Sequence, residues 1–307
     1  MNKKHLISLM DWSTDEIEEV LSLAATIKAE PGRFRTALSG KTLGMLFQKK
    51  STRTRVSFEV GMYQLGGHAL FLGAGDLQLG RGETISDTAQ VLSRYVDAIM
   101  ARVYAQSDIE DLARFGTVPV INGLSDTFHP CQALADYQTL REHKGALAGL
   151  KLAYVGDGNN VAHSLMLCGA KLGVSVSVGA PIGYHPDPAI VTAAQEAAAT
   201  TGATIEVVPD PAEAVKGADC VYTDVWASMG QEAEQKKREQ DFAGFQVDAA
   251  LMARAAKGAI FMHCLPAHRG EEVSAEVCDS PASVIFDEAE NRMHAQKALL
   301  LLLMGGV

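Results

Sequence analysis

Several kinds of site are missing from this 307-residue sequence, and each absence removes a class of function. No two of the five cysteines, at positions 131, 168, 220, 264 and 278, stand at CxxC spacing. An odd, scattered set argues against a disulfide framework or a zinc site and fits a reducing cytoplasm. No apolar run approaches the length of a membrane span. The short run in "MNKKHLISLMDWSTDE" meets Asp11 too early to be the apolar part of a signal peptide. Basic charge is scarce: 27 Lys and Arg against 37 Asp and Glu give a net charge of −10, which argues against a general nucleic-acid surface. The phosphate loop G-x-x-x-x-G-K-[ST] is absent. "GDGNN" begins a dinucleotide fingerprint without completing it, because Val161 stands where the third glycine belongs. The next strand, "VSVSVGAP", ends without the acidic residue that would hold a ribose. There is no repeat of fixed period and no low-complexity segment; the alanine-rich run 193–199 is a plain helix former.

What is present is a globular composition, 47% hydrophobic and 21% charged, with enough length for two domains that each bury a core. "STDEIEEVLSLAATIK" predicts a helix opened by a capping box of Ser13 and Glu16, with Ile17, Val20, Leu21, Ala24 and Ile27 on one face. "KTLGMLF" predicts a buried strand, followed by a helix from Thr52 to Leu65, a strand "HALFLG" and a glycine-rich loop "GAGDLQLGRGE". A helix "TISDTAQVLSRYV", strands "DAIMARV" and "VPVIN", and a helix "HPCQALADYQTLREHKG" with Pro130 in its first turn come next. The alternation restarts at "LKLAYVGDG" and runs through "GAIFMHCLP" to a long amphipathic tail helix, "DEAENRMHAQKALLLLLM". Alternation in both halves predicts the α/β class with two doubly wound parallel sheets, divided within about ten residues of Gly145.

In such folds ligands bind beyond the carboxyl ends of the strands. That rule selects "QKKSTRTR", "GAGDLQLGRG", "ARVY", "NGLSDTFHPCQ", "GDGNN", "TDVWASMGQE" and "HCLPAHRG". "STRTR" follows a strand and opens a helix, whose first turn carries a positive dipole end. Ser51, Thr52 and Thr54 add hydroxyls, and Arg53 and Arg55 add planar forks suited to phosphate oxygens. The chemistry suggested is capture of a phosphate-like dianion; the alternative is an exposed basic helix start. In "HPCQ", His129 and Gln132 can address one ligand across a helical turn, and the dipole there favours a neutral imidazole. The alternative is a helix cap. Asn159 and Asn160 are either loop caps or polar-substrate ligands. Asp224 either caps a turn or faces a ligand, Cys264 is either core filling or a site thiol, and Arg292 is either a surface ion pair or an anion ligand.

Taken together, "STRTR", "HPCQ", "DVWASMG" and "HCLP" resemble the family of aspartate and ornithine carbamoyltransferases over essentially the whole chain. "SMG" at 228–230 and "HCLP" at 263–266 resemble its ornithine branch. The resemblance implies a carbamoyl phosphate-binding domain over 1–145 and an ornithine-binding domain over 146–287. It also implies domains joined by crossing helices, with a C-terminal helix of about 288–307 packing back on the first. It implies that Ser51, Thr52, Arg53 and Thr54 grip the phosphate, helped by Arg292 and by Gln78 of a neighbouring subunit. Arg102, His129 and Thr54 would surround the carbonyl oxygen. Gln132 and the carbonyl of Leu265 would hold the carbamoyl amino group, with Pro130 and Cys131 in the same turn. Asn160, Asp224, Ser228 and Met229 would hold ornithine, with Cys264 beside its δ-nitrogen. The same resemblance implies a homotrimer with shared active sites, no metal and no organic cofactor. The polar stretch "WASMGQEAEQKKREQDFAGF" is expected to be a lid.

Overall fold

The computed structural model describes residues 4–75, 82–228 and 232–305. The chain divides into two compact units, Met1–Gln138 with Glu290–Val307, and Thr139–Ala289.

The first unit opens with α1 (Thr14–Ala29), whose capping box is complete: Ser13 Oγ accepts from Glu16 N–H and Glu16 Oε2 accepts from Ser13 N–H. Its buried face is Ile17, Val20, Leu21, Ala24 and Ile27, as the 3.6-residue period predicts. Then come β1 (Thr42–Phe47), α2 (Thr52–Gln64), β2 (His68–Gly73), α3 (Ile85–Leu92), β3 (Ala98–Arg102), α4 (Gln106–Phe115), β4 (Val120–Leu124) and α5 (Pro130–Lys144). The strands form a parallel sheet in the order β2-β1-β3-β4. The order reverses between β1 and β3, so the crevice beyond their carboxyl ends is the switch point at which such sheets bind ligands. Leu46, Ile99, Ala101, Ile109, Leu112 and Val120 pack together on one side of this sheet. Each fully buried leucine, isoleucine or valine among them contributes about 1.5–3 kcal/mol. Helix α4, not anticipated from "QSDIEDLARF", buries only Ile109 and Leu112, which leaves too short an apolar pattern to read.

In the second unit the order is β5 (Lys151–Val155), α6 (Asn160–Leu172), β6 (Ser175–Gly179), α7 (Pro188–Ala198), β7 (Ile205–Val208), α8 (Pro211–Val215), β8 (Cys220–Thr223), α9 (Gln235–Asp241), α10 (Ala249–Met252), β9 (Ile260–His263) and α11 (Ala275–Cys278). Its parallel sheet runs β7-β6-β5-β8-β9, with the switch point between β5 and β8. Val155, Val221, Phe242, Phe245, Phe261 and Val273 share its core. The last helix, α12 (Ile285–Met304), carries the chain back into the first unit after Ala289, as α5 carries it out after Gln138. Both halves therefore have the parallel α/β class that the alternation predicted.

Candidate active site

Ser51 caps α2 by accepting Thr54 N–H at 3.2 Å, which places the positive end of that helix just past β1. Thr52 is exposed, Arg53 half-buried and Thr54 buried. Arg102 is the last residue of β3 and pairs in register with Phe47 at the end of β1, so its buried side chain starts at the switch point. The four cations of the sequence cluster separate. Arg55 turns away, donating to Glu59 at 3.0 Å and lying 3.8 Å over the ring of Phe71. Lys50 is exposed. Lys49 lies 4.6 Å over Tyr104, and burial followed by the nearby charge of Arg102 lowers its pKa.

Arg292, on α12, is buried and not a surface residue. It donates to Gln132 Oε1 and, at 3.4 Å, to Thr54 Oγ1. Gln132 in turn donates to Asp136 Oδ1 at 2.7 Å. The sequence reading omitted Asp136, although its i+4 spacing from Gln132 on α5 was a usable signal. The tail helix is more polar inside than its amphipathic reading supposed. Asn291 accepts from Lys28 at 2.9 Å and Lys297 donates to Gln64 at 2.8 Å, so these two buried polar side chains of α12 have partners. His129, one residue before α5, is buried. Its pKa is held well below the usual value by burial, then by the charges of Arg292, Arg102 and Arg53. It is a neutral donor among three guanidiniums. Pro130 begins α5 and is buried. The Cys131 thiol donates to the Asn122 carbonyl at 3.4 Å, and burial pushes its pKa to about 12. That side chain is committed to the interior, so only its main chain remains for a ligand. Gln78 lies outside the described residues.

In the second unit, register does the positioning. Thr223 on β8 pairs with His263 on β9, so the residues that follow, Asp224 and Cys264, emerge side by side. The Cys264 thiol donates to Asp224 Oδ1 at 3.0 Å. Asn159 caps α6, accepting from Val161 N–H at 2.9 Å and Ala162 N–H at 3.3 Å, and donates to Asp224 Oδ2 at 2.9 Å. It is thus a loop cap that also holds Asp224, and Asn160 is the first residue of the helix it caps. Gly158 is required for close approach: a Cβ there would lie 2.1 Å from the Pro186 nitrogen. Tyr154, buried behind this group, donates to Asn159 Oδ1 at 3.3 Å. Burial, then the charges of Asp224 and Asp157, lifts its pKa well above the usual value. Ser228 is half-buried, and Met229 lies outside the described residues. Leu265 has a left-handed backbone, φ 58°, which costs a leucine about 1–2 kcal/mol. Its N–H donates to His263 Nδ1 at 2.9 Å. The His263 proton is therefore on Nε2, donated to Glu272 Oε1 at 3.1 Å.

The supposed lid is not one long loop. Among its described residues, Gln235–Asp241 is helical and Phe242 and Phe245 are buried in the core. Its anchor is Arg238, buried within the polar run "QKKREQD", where no sequence signal marks it. Arg238 donates to Asp157 Oδ2 at 2.7 Å, to the Trp226 carbonyl at 2.8 Å and to Glu234 at 3.1 Å, and stacks 5.0 Å over Tyr184. Burial raises the pKa of Asp157, with Arg238 pulling the other way. The clamp ties the segment carrying Ser228 to the loop carrying Asn159. A cavity of about 600 Å³ beside α9, lined by Ile182, Tyr184, Lys237 and Asp241 among others, holds none of the predicted residues.

Comparison with known proteins agrees with this geometry in both units. Residues 4–142 match the aspartate/ornithine carbamoyltransferase carbamoyl-P binding domain, and residues 148–303 match the Asp/Orn binding domain of the same family. An ornithine carbamoyltransferase of Thermococcus kodakarensis is 60% identical over 99% of this chain and 97% of its own. One from Symbiobacterium thermophilum is 62% identical over 98% of each. The solved ornithine carbamoyltransferase of Pyrococcus furiosus superposes with a TM-score of 0.96 at 60% identity, covering 99% of this chain and 98% of that one. Sequence and fold agree along the whole length, and the chain belongs to the aspartate/ornithine carbamoyltransferase family.

Proposed function

We propose that the chain transfers the carbamoyl group of carbamoyl phosphate to the δ-amine of L-ornithine, giving L-citrulline and phosphate. The observation that carries this reading is the division of charge. The first unit sets Arg53, Arg102 and Arg292 around a neutral His129, and the second sets Asp224 against a thiol and an amide. A dianionic donor suits the former and a cationic amino acid the latter. The aliphatic δ-amine, with a reference pKa of about 10.4 by analogy with lysine, must lose its proton to attack. Asp224 and Cys264 orient the neutral amine. As the C–N bond forms, charge builds on the carbonyl oxygen, where Arg102, His129 and Thr54 donate. The bond from carbon to the phosphate oxygen then breaks, and the amine proton leaves on phosphate. Gln132 and the Leu265 carbonyl hold the carbamoyl amino group. Ser51, Thr52, Arg53 and Arg292 hold the phosphate, with Pro130 and Cys131 shaping the same turn. Asn160, Ser228 and Met229 complete the acceptor contacts. Fixing both reactants in attack geometry supplies much of the remaining acceleration.

The working assembly is a homotrimer in which Gln78 reaches a neighbour's phosphate site. Val56, Val60 and Tyr63 support self-association. They are exposed along one face of α2, beside Leu70 on the edge strand β2. All five cysteines are free thiols, in keeping with work in the cytoplasm. Among the described residues no helix is long and apolar enough to cross a membrane. The Pyrococcus furiosus relative designated anabolic, 60% identical, supports a place in arginine biosynthesis. The test is citrulline formation from carbamoyl phosphate with ornithine, against putrescine, aspartate and N-acetylornithine. Preference for ornithine is expected; preference for another amine would overturn the assignment.

A further inference from the structure

The turn after β9 holds a cluster that the proposed reaction does not use. His268, Glu271 and Glu272 bring one ligand atom each to within 4.8 Å of one another. His268 Nδ1 is 3.6 Å from Glu271 Oε2 and 3.9 Å from Glu272 Oε2. Acidic side chains near a histidine are common on surfaces and would carry nothing alone. Glu272 differs. Its side chain is fully buried, and among the described residues its Oε2 has no hydrogen-bond partner. Its other oxygen, Oε1, accepts from His268 N–H at 2.6 Å and faces His263 Nε2 at 3.1 Å. The carboxylate is thus held from behind, and its remaining oxygen is directed at the imidazole and the second carboxylate. A buried, ionisable oxygen without a donor is costly. The nearby guanidinium does not relieve it, because Arg269 is engaged by Asp279 at 2.6 Å.

We infer that His268, Glu271 and Glu272 form a binding site for a divalent transition-metal ion of the zinc type, which clasps the turn between β9 and α11. One imidazole and two carboxylates suit Zn²⁺, Co²⁺ or Ni²⁺. Bonds of about 2.0–2.1 Å in a tetrahedral shell set ligand atoms about 3.4 Å apart. The observed 3.6 and 3.9 Å need only small rotations of the exposed His268 and Glu271 side chains. Water completes the shell. The bonds from His263 and the His268 amide to Glu272 Oε1 are the outer contacts that orient a metal-binding carboxylate. The same His263 holds the Leu265 amide, so the ion would stiffen the segment that presents Cys264 and Leu265. The missing CxxC spacing bears on cysteine sites only and leaves this one untouched. A second trio, Asp224, His263 and Cys264, also lies within 4.8 Å, but both ring nitrogens of His263 are engaged within the protein.

The test titrates Co²⁺ into the chelator-treated full-length protein, followed by visible absorption, with Zn²⁺ as competitor. One ion per chain is expected, with d–d bands and no thiolate charge-transfer band. His268→Ala and Glu271→Gln should each weaken binding at least tenfold, and Cys264→Ser should leave it unchanged. Zn²⁺ should raise the melting temperature of the parent protein and not that of Glu271→Gln. Both replaced side chains are more than a third exposed, so the fold survives and melting verifies it. Absence of binding, binding indifferent to His268→Ala and Glu271→Gln, or binding lost in Cys264→Ser would each overturn the site.

Discussion

The two units carry the same kind of sheet and opposite electrostatics at the carboxyl ends of their strands. In the first, three guanidiniums converge on a histidine that burial and those charges keep neutral. In the second, Asp224 and Asp157 lie near one another, and the cation paired with Asp157, Arg238, comes from a separate helix. One fold can therefore host either sign of ligand, because the sheet supplies only positions and the residues after each strand supply charge. Like charges crowded around one histidine also repel one another, and a ligand of opposite sign relieves that repulsion.

The largest expected effect tests that repulsion. Arg102→Ala removes one charge from the cationic half-site and, in the proposed mechanism, one donor from the carbonyl oxygen. Its kcat should fall by about 10²–10³. The melting temperature should hold or rise, since like-charge crowding is relieved at a site built for function. A large loss of stability alongside the loss of activity would mean that Arg102 serves the core. Next in size is Asp224→Asn, of nearly the same shape without the charge. It should lower kcat/KM for ornithine by about 10² while leaving carbamoyl phosphate affinity, read by calorimetry, unchanged. Equal damage to both substrates would erase the division of labour between the units. A third, smaller effect concerns the clamp. An ammonium cannot serve Asp157, Glu234 and the Trp226 carbonyl as a planar fork does. Arg238→Lys should raise the ornithine KM about tenfold, or 1.4 kcal/mol, with carbamoyl phosphate binding unmoved. An unchanged KM would reduce Arg238 to a fold-stabilising residue.

The halves also differ in how far they could be read from sequence. In the first, Ser51, Thr54, His129 and Gln132 sit at helix starts, where local chemistry is written in adjacent residues. The link of Thr54 to Arg292 spans 238 positions and could not be read from spacing; it came from family resemblance. In the second, the pairing of Asp224 with Cys264 depends on strand register, which the two strands do not reveal separately. Asn159 was legible as a cap and Asp136 as an i+4 partner. Arg238 was not legible, because a buried arginine in a polar helix looks like its solvated neighbours until Phe242 and Tyr184 are seen around it. The parallel α/β class followed from alternation alone, whereas the short helices α8, α10 and α11 have too few residues to show a period.

The smallest effect sets the two halves against each other through protons. A histidine with a depressed folded pKa binds fewer protons folded than unfolded. Its neutral burial therefore favours folding only above its unfolded pKa, about 6.5, and that contribution is lost as pH falls below it. His129 has this sign, from burial and then from Arg292, Arg102 and Arg53. Asp157 has the opposite one. Its raised pKa makes its contribution complete below the ordinary Asp value, about 3.9, and progressively lost as pH rises through its folded value. Melting curves between about pH 5 and 8, the range in which histidines titrate, isolate the first of these when the parent is compared with His129→Gln. The melting temperature of the parent protein should fall as pH drops through this range, and that of His129→Gln, which cannot be protonated there, should fall less. His5 and His294 are also depressed, first by burial, but they contribute equally to both proteins and cancel in the difference. Parallel curves would mean that His129 accepts a proton in the folded state. The donor at the carbonyl oxygen would then be a cation, and the first half-site would be cationic throughout instead of cationic around a neutral centre.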